Sequence, residues 1–143
     1  MSWYAAHLVM LVEFKDSVQD RYPVWENIVL VEAASDEEAF LKAEVRGKED
    51  EGDEGGSFHW GKKPAQWVFA GVRKLAECAM LGNTPGDGTE ITFNELEFSS
   101  HEAVNKFAQG KPIEVLYNDR FATPAPRRRN TQAEPKQRRR KGA

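Results

Sequence analysis

A single cysteine, Cys78, stands among 143 residues, so no internal disulfide is available and the chain reads as one suited to the cytoplasm rather than to secretion. Long apolar runs are missing as well. The longest, roughly residues 3 to 12, is short of the ~20 residues a membrane-spanning helix requires, and it lacks the basic segment that opens a signal peptide. Histidine is scarce: His7, His59 and His101 are the three, and none has another His or Cys at zinc-ligand spacing. The glycine-rich stretch 82–88 lacks the Lys-Ser/Thr of a phosphate-cradling loop. The acidic run 49–56 fails the calcium-loop pattern, because counting from Asp50 puts Gly52 at the third ligand position, and counting from Glu51 leaves no Glu at the twelfth. These gaps predict no metal and no cofactor.

What is present is charge, unevenly placed. The net charge of −3 conceals a body, residues 1–119, with 11 Lys+Arg against 22 Asp+Glu, and an arm, residues 120–143, with nine Lys+Arg against Glu134 alone. Beyond Phe121 the arm has no aromatic and contains three prolines. Such a stretch buries too little apolar surface to offset about 1–2 kcal/mol of ordering entropy per residue. The reading is therefore one domain over 1–119 followed by a disordered basic tail over 120–143.

Within the body, Tyr4, Ala6, Leu8, Met10, Val12 and Phe14 alternate, which is the period of a strand, and the opposite face is also largely apolar, which predicts a central strand. Residues 15–23 read as a connection and 25–33 as a second strand. Ser35 with Glu38 makes a capping box, Ala39, Phe40 and Ala43 make a narrow apolar stripe, and Gly47 reads as the stop, so a helix is expected over 34–47. Residues 48–61 read as a charged connection, 65–80 as a long strand bent at Gly71, and 81–88 as a turn. Residues 89–98 read as a fourth strand with a bulge near Asn94. A second helix follows, where the stretch from Ser99 repeats the Ser, Glu, Ala and Lys positions of the stretch from Ser35 and ends at Gly110. Convergence on good capping chemistry and a duplicated β-β-α unit both account for that repeat. Residues 111–117 add a short last strand, with Pro112 confined to its start or to an edge. The fold class is α+β: an antiparallel sheet of four to five strands with two helices on one face.

Four stretches, in this order, carry a resemblance: Trp3-Tyr-Ala-Ala, the run from Ile28 to Ala39 through Glu32 and Ser35, Trp67-Val-Phe-Ala-Gly-Val, and Asp87-Gly-Thr-Glu-Ile. Over residues 3–98 the chain resembles a bacterial family known only as domain of unknown function 4288. The resemblance implies a small intracellular bacterial α+β domain and brings no catalytic or ligand residues. The basic arm lies outside it.

Trp60 and Trp67 flank Gly61-Lys62-Lys63-Pro64, so two indoles stand beside two ammonium groups. Trp67 as core with Trp60 shielding a sheet edge is one reading; a protein-binding hot spot, where tryptophan is enriched, is the other. The acidic run is a solvated, mobile loop or a docking surface for a basic partner. Cys78 reads as a buried, inert thiol. In the arm, Arg127, Arg128, Arg129 and Lys136, Arg138, Arg139, Arg140, Lys141 form clusters fit for phosphate, for an acidic protein, or for the chain's own acidic body. They carry no interleaved aromatics for base stacking. The expected function is a small non-enzymatic interaction module, an accessory, regulatory or immunity-type subunit of a partner protein. The alternative is a nucleic-acid-associated protein gripping phosphate through the arm, and an enzyme with a site assembled in space around His7 is the third reading.

Overall fold

The alternating first segment does form a strand, and the first unit of the molecule is organised on it. The computed structural model describes residues 1–78 and 85–118. Its elements are β1 (Ser2–Phe14), β2 (Val24–Ala33), α1 (Asp36–Glu49), β3 (His59–Trp60), β4 (Lys63–Glu77), β5 (Leu96–Glu97), α2 (His101–Ala108) and β6 (Leu116–Tyr117). The fold is α+β, with a four-stranded antiparallel sheet in the order β2-β1-β4-β3 and a two-stranded pair, β5-β6. The chain divides into two compact units, residues 1–92 and 93 onward.

In the first unit β1 is central, as its two apolar faces require. Its even-numbered residues meet Val31, Val29, Asn27 and Trp25 of β2 and Leu75, Val72, Phe69 and Trp67 of β4. Tyr4, Ala6, Leu8, Met10 and Val12 are all buried there. α1 packs against β1, β2 and β4 through Ala39, Phe40, Ala43 and Gly47. Small residues at four-residue spacing let the helix axis approach the sheet closely.

Gly47 shows how close. A Cβ built on it would lie 2.3–2.5 Å from three ring carbons of Phe69. This corrects its reading as a stop: the helix runs through Gly47 to Glu49 and caps at Asp50. The helix start matches the expectation, since Ser35 Oγ accepts from the Glu38 amide (3.1 Å) and Glu38 Oε1 accepts from the Ala34 amide (2.6 Å).

The ladder between β1 and β4 is broken twice, between His7 and Leu8 and between Val9 and Met10, which leaves Arg73 and Ala70 as extra residues on β4. The bend expected at Gly71 (φ +149°) is this second break. The acidic run is not a free loop. Gly52 exchanges two backbone hydrogen bonds with Trp67, Glu51 accepts from the Phe69 amide (2.8 Å), and Asp53 pairs with Lys15. This stretch covers part of the β4 edge, where a two-residue strand, His59–Trp60, occurs inside what the sequence presented as a connection.

In the second unit the fourth strand expected over 89–98 shrinks to Leu96–Glu97, paired with Leu116–Tyr117, and the bulge near Asn94 is absent from it because residues 89–95 are not strand. α2 is capped by Ser100, whose Oγ accepts from the Ala103 amide (3.1 Å), rather than by Ser99. It ends as expected at Gly110 (φ +78°), with Gly110 N–H donating to Phe107 O and Lys111 N–H to Lys106 O, both at 3.0 Å. The first four residues of the expected turn at 81–88 and the whole of the basic arm lie outside the described residues. Among the described residues no helix is long and apolar enough to cross a membrane.

Candidate functional site

Two side-chain groups in the first unit stand out, one on each face of the sheet. The first grows from the register. Val12 pairs with Trp67 and Met10 with both Trp25 and Phe69, so both indoles share the α1 face, and Trp60, the ladder partner of Lys63, joins them. Trp67 is the hub. Its ring lies 5.0 Å from Trp25 (tilted by 54°), 5.4 Å from Phe58 (stacked) and 6.2 Å from Trp60 (edge-on). These are the offset and edge-to-face arrangements that aromatic quadrupoles favour. Just past the C-terminus of α1, a cavity of about 180 Å³ opens between Met10, Trp25, Asn27, Asp50 and Trp67. Trp25 is 52% exposed at its mouth. Asp50 is held by Arg46 (3.3 Å).

The sequence-predicted residues distribute around this hub. Trp60 and Trp67 are in contact. Lys63 lies on the same face with its Nζ 5.8 Å from the centre of the Phe14 ring, while Lys62 is exposed beside Gly61 (φ +66°) in the hairpin turn. Trp25, Phe58, Asn27 and Asp50 were not among the predicted site residues. Of these only Trp25 carried a signal, its residue type, and nothing local showed that the β1-β2 register would set it against Trp67. Arg127, Arg128, Arg129, Lys136, Arg138, Arg139, Arg140 and Lys141 lie outside the described residues.

The second group is polar and lies on the opposite face. His7 is fully buried, with Nδ1 2.7 Å from Glu26 Oε2 and Nε2 2.8 Å from Thr92 Oγ1. Arg73 donates to the same Glu26 oxygen through its Nε (2.9 Å) and a terminal nitrogen (2.7 Å). The bulge is what delivers this cation: the extra residue on β4 lets Arg73 and the neighbouring buried Lys74 both address the His7 side. Burial pushes the His7 pKa down, with Lys74 and Arg73 acting in the same sense against the pull of Glu26. Glu26 is held below the usual carboxylate range: its burial acts upward, and hydrogen bonds from Arg73 and His7 outweigh it. The imidazole is thus neutral, donating from Nδ1 to the carboxylate and accepting the Thr92 hydroxyl at Nε2.

A hydroxyl, an imidazole and a carboxylate in this order form the relay that activates a nucleophile in acyl transfer. Here, however, the carboxylate is also shared with a guanidinium and the ring has no exposed surface. The arrangement satisfies buried polar groups. The other histidines stand apart from it. His59 is exposed and bonds Ser57 O through Nδ1 (2.9 Å), and His101 opens α2. Among the described residues no group of three or more His, Cys, Asp or Glu is placed to hold a metal ion. Cys78 is half-buried with Sγ 3.1 Å from Ile91 O, and burial raises its pKa.

Compared with known proteins, residues 3–92 match the family described as a domain of unknown function (DUF4288). No curated protein and no solved structure matches the chain.

Proposed function

The chain belongs to the DUF4288 family, and from that premise we propose that it is a non-enzymatic bacterial interaction module whose contact face for a partner protein is the tryptophan cluster. It acts in the cytoplasm as an accessory, regulatory or immunity-type subunit. The observation that carries this reading is Trp25, which is half-exposed at the mouth of a cavity and backed by Trp67. A large amphipathic side chain set beside a ready-made concavity is the composition and shape of an interface anchor. Asn27 and Asp50, which line the cavity, supply polar groups beside it. The His7 group lies on the other face and serves stability in this reading.

The test is capture from the native host's lysate on the immobilised full-length chain. Trp25→Ala and Trp60→Ala are run beside the parent, with a variant in which Arg127, Arg128 and Arg129 become Gln. The expected result is a defined protein whose retention falls about tenfold or more on Trp25→Ala, the loss typical of an interface anchor, and persists with the arginine variant and after nuclease treatment. Retention that ignores both tryptophans, or that disappears with nuclease or with the arginine variant, overturns the reading in favour of the basic arm.

A further inference from the structure

On the α1 face of β2 the residues run Val31, Val29, Asn27 and Trp25, so an amide interrupts an otherwise apolar row. The half-buried side chain of Asn27 makes no hydrogen bond to another described residue. A polar group turned toward a core costs free energy unless something pairs with it. Asn27 lines the cavity beside Trp25 and Trp67, so a partner for its amide would come from inside that cavity. Asp50, the one charged residue of the lining, is only half satisfied. Arg46 Nε donates to its Oδ2 across a long 3.3 Å, and its Oδ1 accepts from no described residue.

Asp50 is also the C-cap of α1, where the carbonyl end of the helix adds the equivalent of about half a negative charge. Arg46 and Lys48, the cations of that last turn, offset part of this, but neither lines the cavity. The two indoles touch each other, so an occupant lies against them rather than between them. At about 180 Å³ the space is smaller than the roughly 300–1,000 Å³ of sites that hold drug-sized molecules, and it suits a single side chain.

Resting on the tryptophan face as the contact surface for a partner protein, we propose that its cavity takes an arginine side chain of that partner. A guanidinium is a flat cation that stacks on an indole and donates from the same plane, here to Asp50 and to the amide oxygen of Asn27. Other occupants leave a group unmet. A leucine or aromatic anchor would bury Asp50 and Asn27 without partners. A carboxylate or phosphate would meet Asp50 and the negative end of α1. A lysine ammonium is a compact, strongly hydrated point charge that cannot lie flat on a ring. A quaternary ammonium has no N–H to give to either acceptor.

End-blocked Gly-Arg-Gly titrated into the isotope-labelled full-length chain at fixed ionic strength tests this. The signal read is the Trp25 indole N–H, assigned by its absence from Trp25→Phe. The same peptide with citrulline, whose neutral urea replaces the guanidinium, and with lysine or trimethyl-lysine, is run beside it. The arginine peptide is expected to shift the signal saturably with a millimolar Kd, and the other three to bind about fivefold more weakly or less. Asp50→Asn is expected to lose about fivefold while keeping the parent's circular dichroism. Arg46→Gln, which leaves the carboxylate unshared, is expected to bind more tightly. No saturable shift by about 20 mM overturns the proposal. So do a citrulline or lysine peptide that binds as well, an Asp50→Asn chain that binds as well, and an Arg46→Gln chain that binds more weakly. A Trp25 signal that moves when Arg127, Arg128 and Arg129 become Gln would put the chain's own arm in the cavity, and overturns the assignment to a partner. Capture from lysate separates this from the broader reading. A protein retained through Trp25, yet neither displaced by the arginine peptide nor lost with Asp50→Asn, overturns the arginine and leaves the contact face standing. Peptide binding with retention that ignores Trp25 does the reverse.

Discussion

His7 illustrates how one side chain carries a measurable consequence. Its ring is buried neutral beside Glu26, Arg73, Lys74 and Thr92, and its pKa lies below that of an unfolded-chain histidine. Below about pH 6.5 the unfolded chain takes up a proton there that the folded chain refuses, so stability falls as pH drops from 6.5 toward the depressed folded value. Glu26, also depressed, contributes in the same direction at lower pH, where its carboxylate is protonated. The urea midpoint is therefore expected to be lower at pH 5.5 than at pH 7.5. His7→Gln is expected to lose most of that fall while costing about 1–3 kcal/mol at neutral pH, because Thr92 and Glu26 lose well-placed partners. A midpoint that rises on acidification would mean that the ring is held as an imidazolium by Glu26. The sequence displayed His7 inside a strand and no more. Glu26 is 19 residues away and Thr92 is 85, and Arg73 arrives only through a bulge, which residue types do not announce.

At the scale of elements, the legible features were those governed by neighbours in sequence: the alternation of β1, the Ser35–Glu38 cap, and the glycine that closes α2. Features governed by packing were not. Gly47 has the residue type of a helix stop, yet it is a helix interior position set by Phe69 across the gap. Gly47→Ala isolates that contact. Helix propensity alone favours alanine by about 1 kcal/mol. The new methyl would nevertheless sit inside the van der Waals radius of an aromatic ring, and overpacking of this kind typically costs about 1–3 kcal/mol. The melting temperature is expected to fall, and the double variant Gly47→Ala with Phe69→Leu to recover part of the loss. A rise for the single change would show that the ring yields freely. The repeat between the two helix starts was legible, but its phase was not. Two adjacent serines precede α2, and Ser100 rather than Ser99 makes the cap. Ser100→Ala is expected to remove about 1 kcal/mol and Ser99→Ala little, read by amide hydrogen exchange across residues 101–108. The strand expected over 89–98 failed for a related reason. Ile91 and Phe93, then Leu96 and Phe98 after a change of parity, show which residues suit a strand, whereas a ladder also needs a partner edge, and Leu116–Tyr117 supplies one for two residues alone.

For the whole molecule the governing fact is charge of opposite sign at the two ends of one chain. Residues 1–119 sum to −11 and residues 120–143 to +8. Polyanions are repelled by the body and attracted by the arm, so any affinity for nucleic acid must be a local property of the arm working against a repulsive background. Such affinity comes from counterion release and decays steeply with salt. Retention of the full-length chain on double-stranded DNA is thus expected at low ionic strength and lost by about 0.2 M salt, above which arm and body are both screened beyond roughly 8 Å. Replacing Arg127–Arg129 and Arg138–Arg140 by Gln turns the arm's +8 into +2 and leaves the net charge at −9. That variant is expected to pass through the DNA column even at low salt, with a flatter salt dependence of any residual binding. The tryptophan face, which depends on shape and apolar contact, should be indifferent to the same change. A six-glutamine chain that still binds DNA would place a phosphate-binding surface on the acidic body, which its net of −11 opposes.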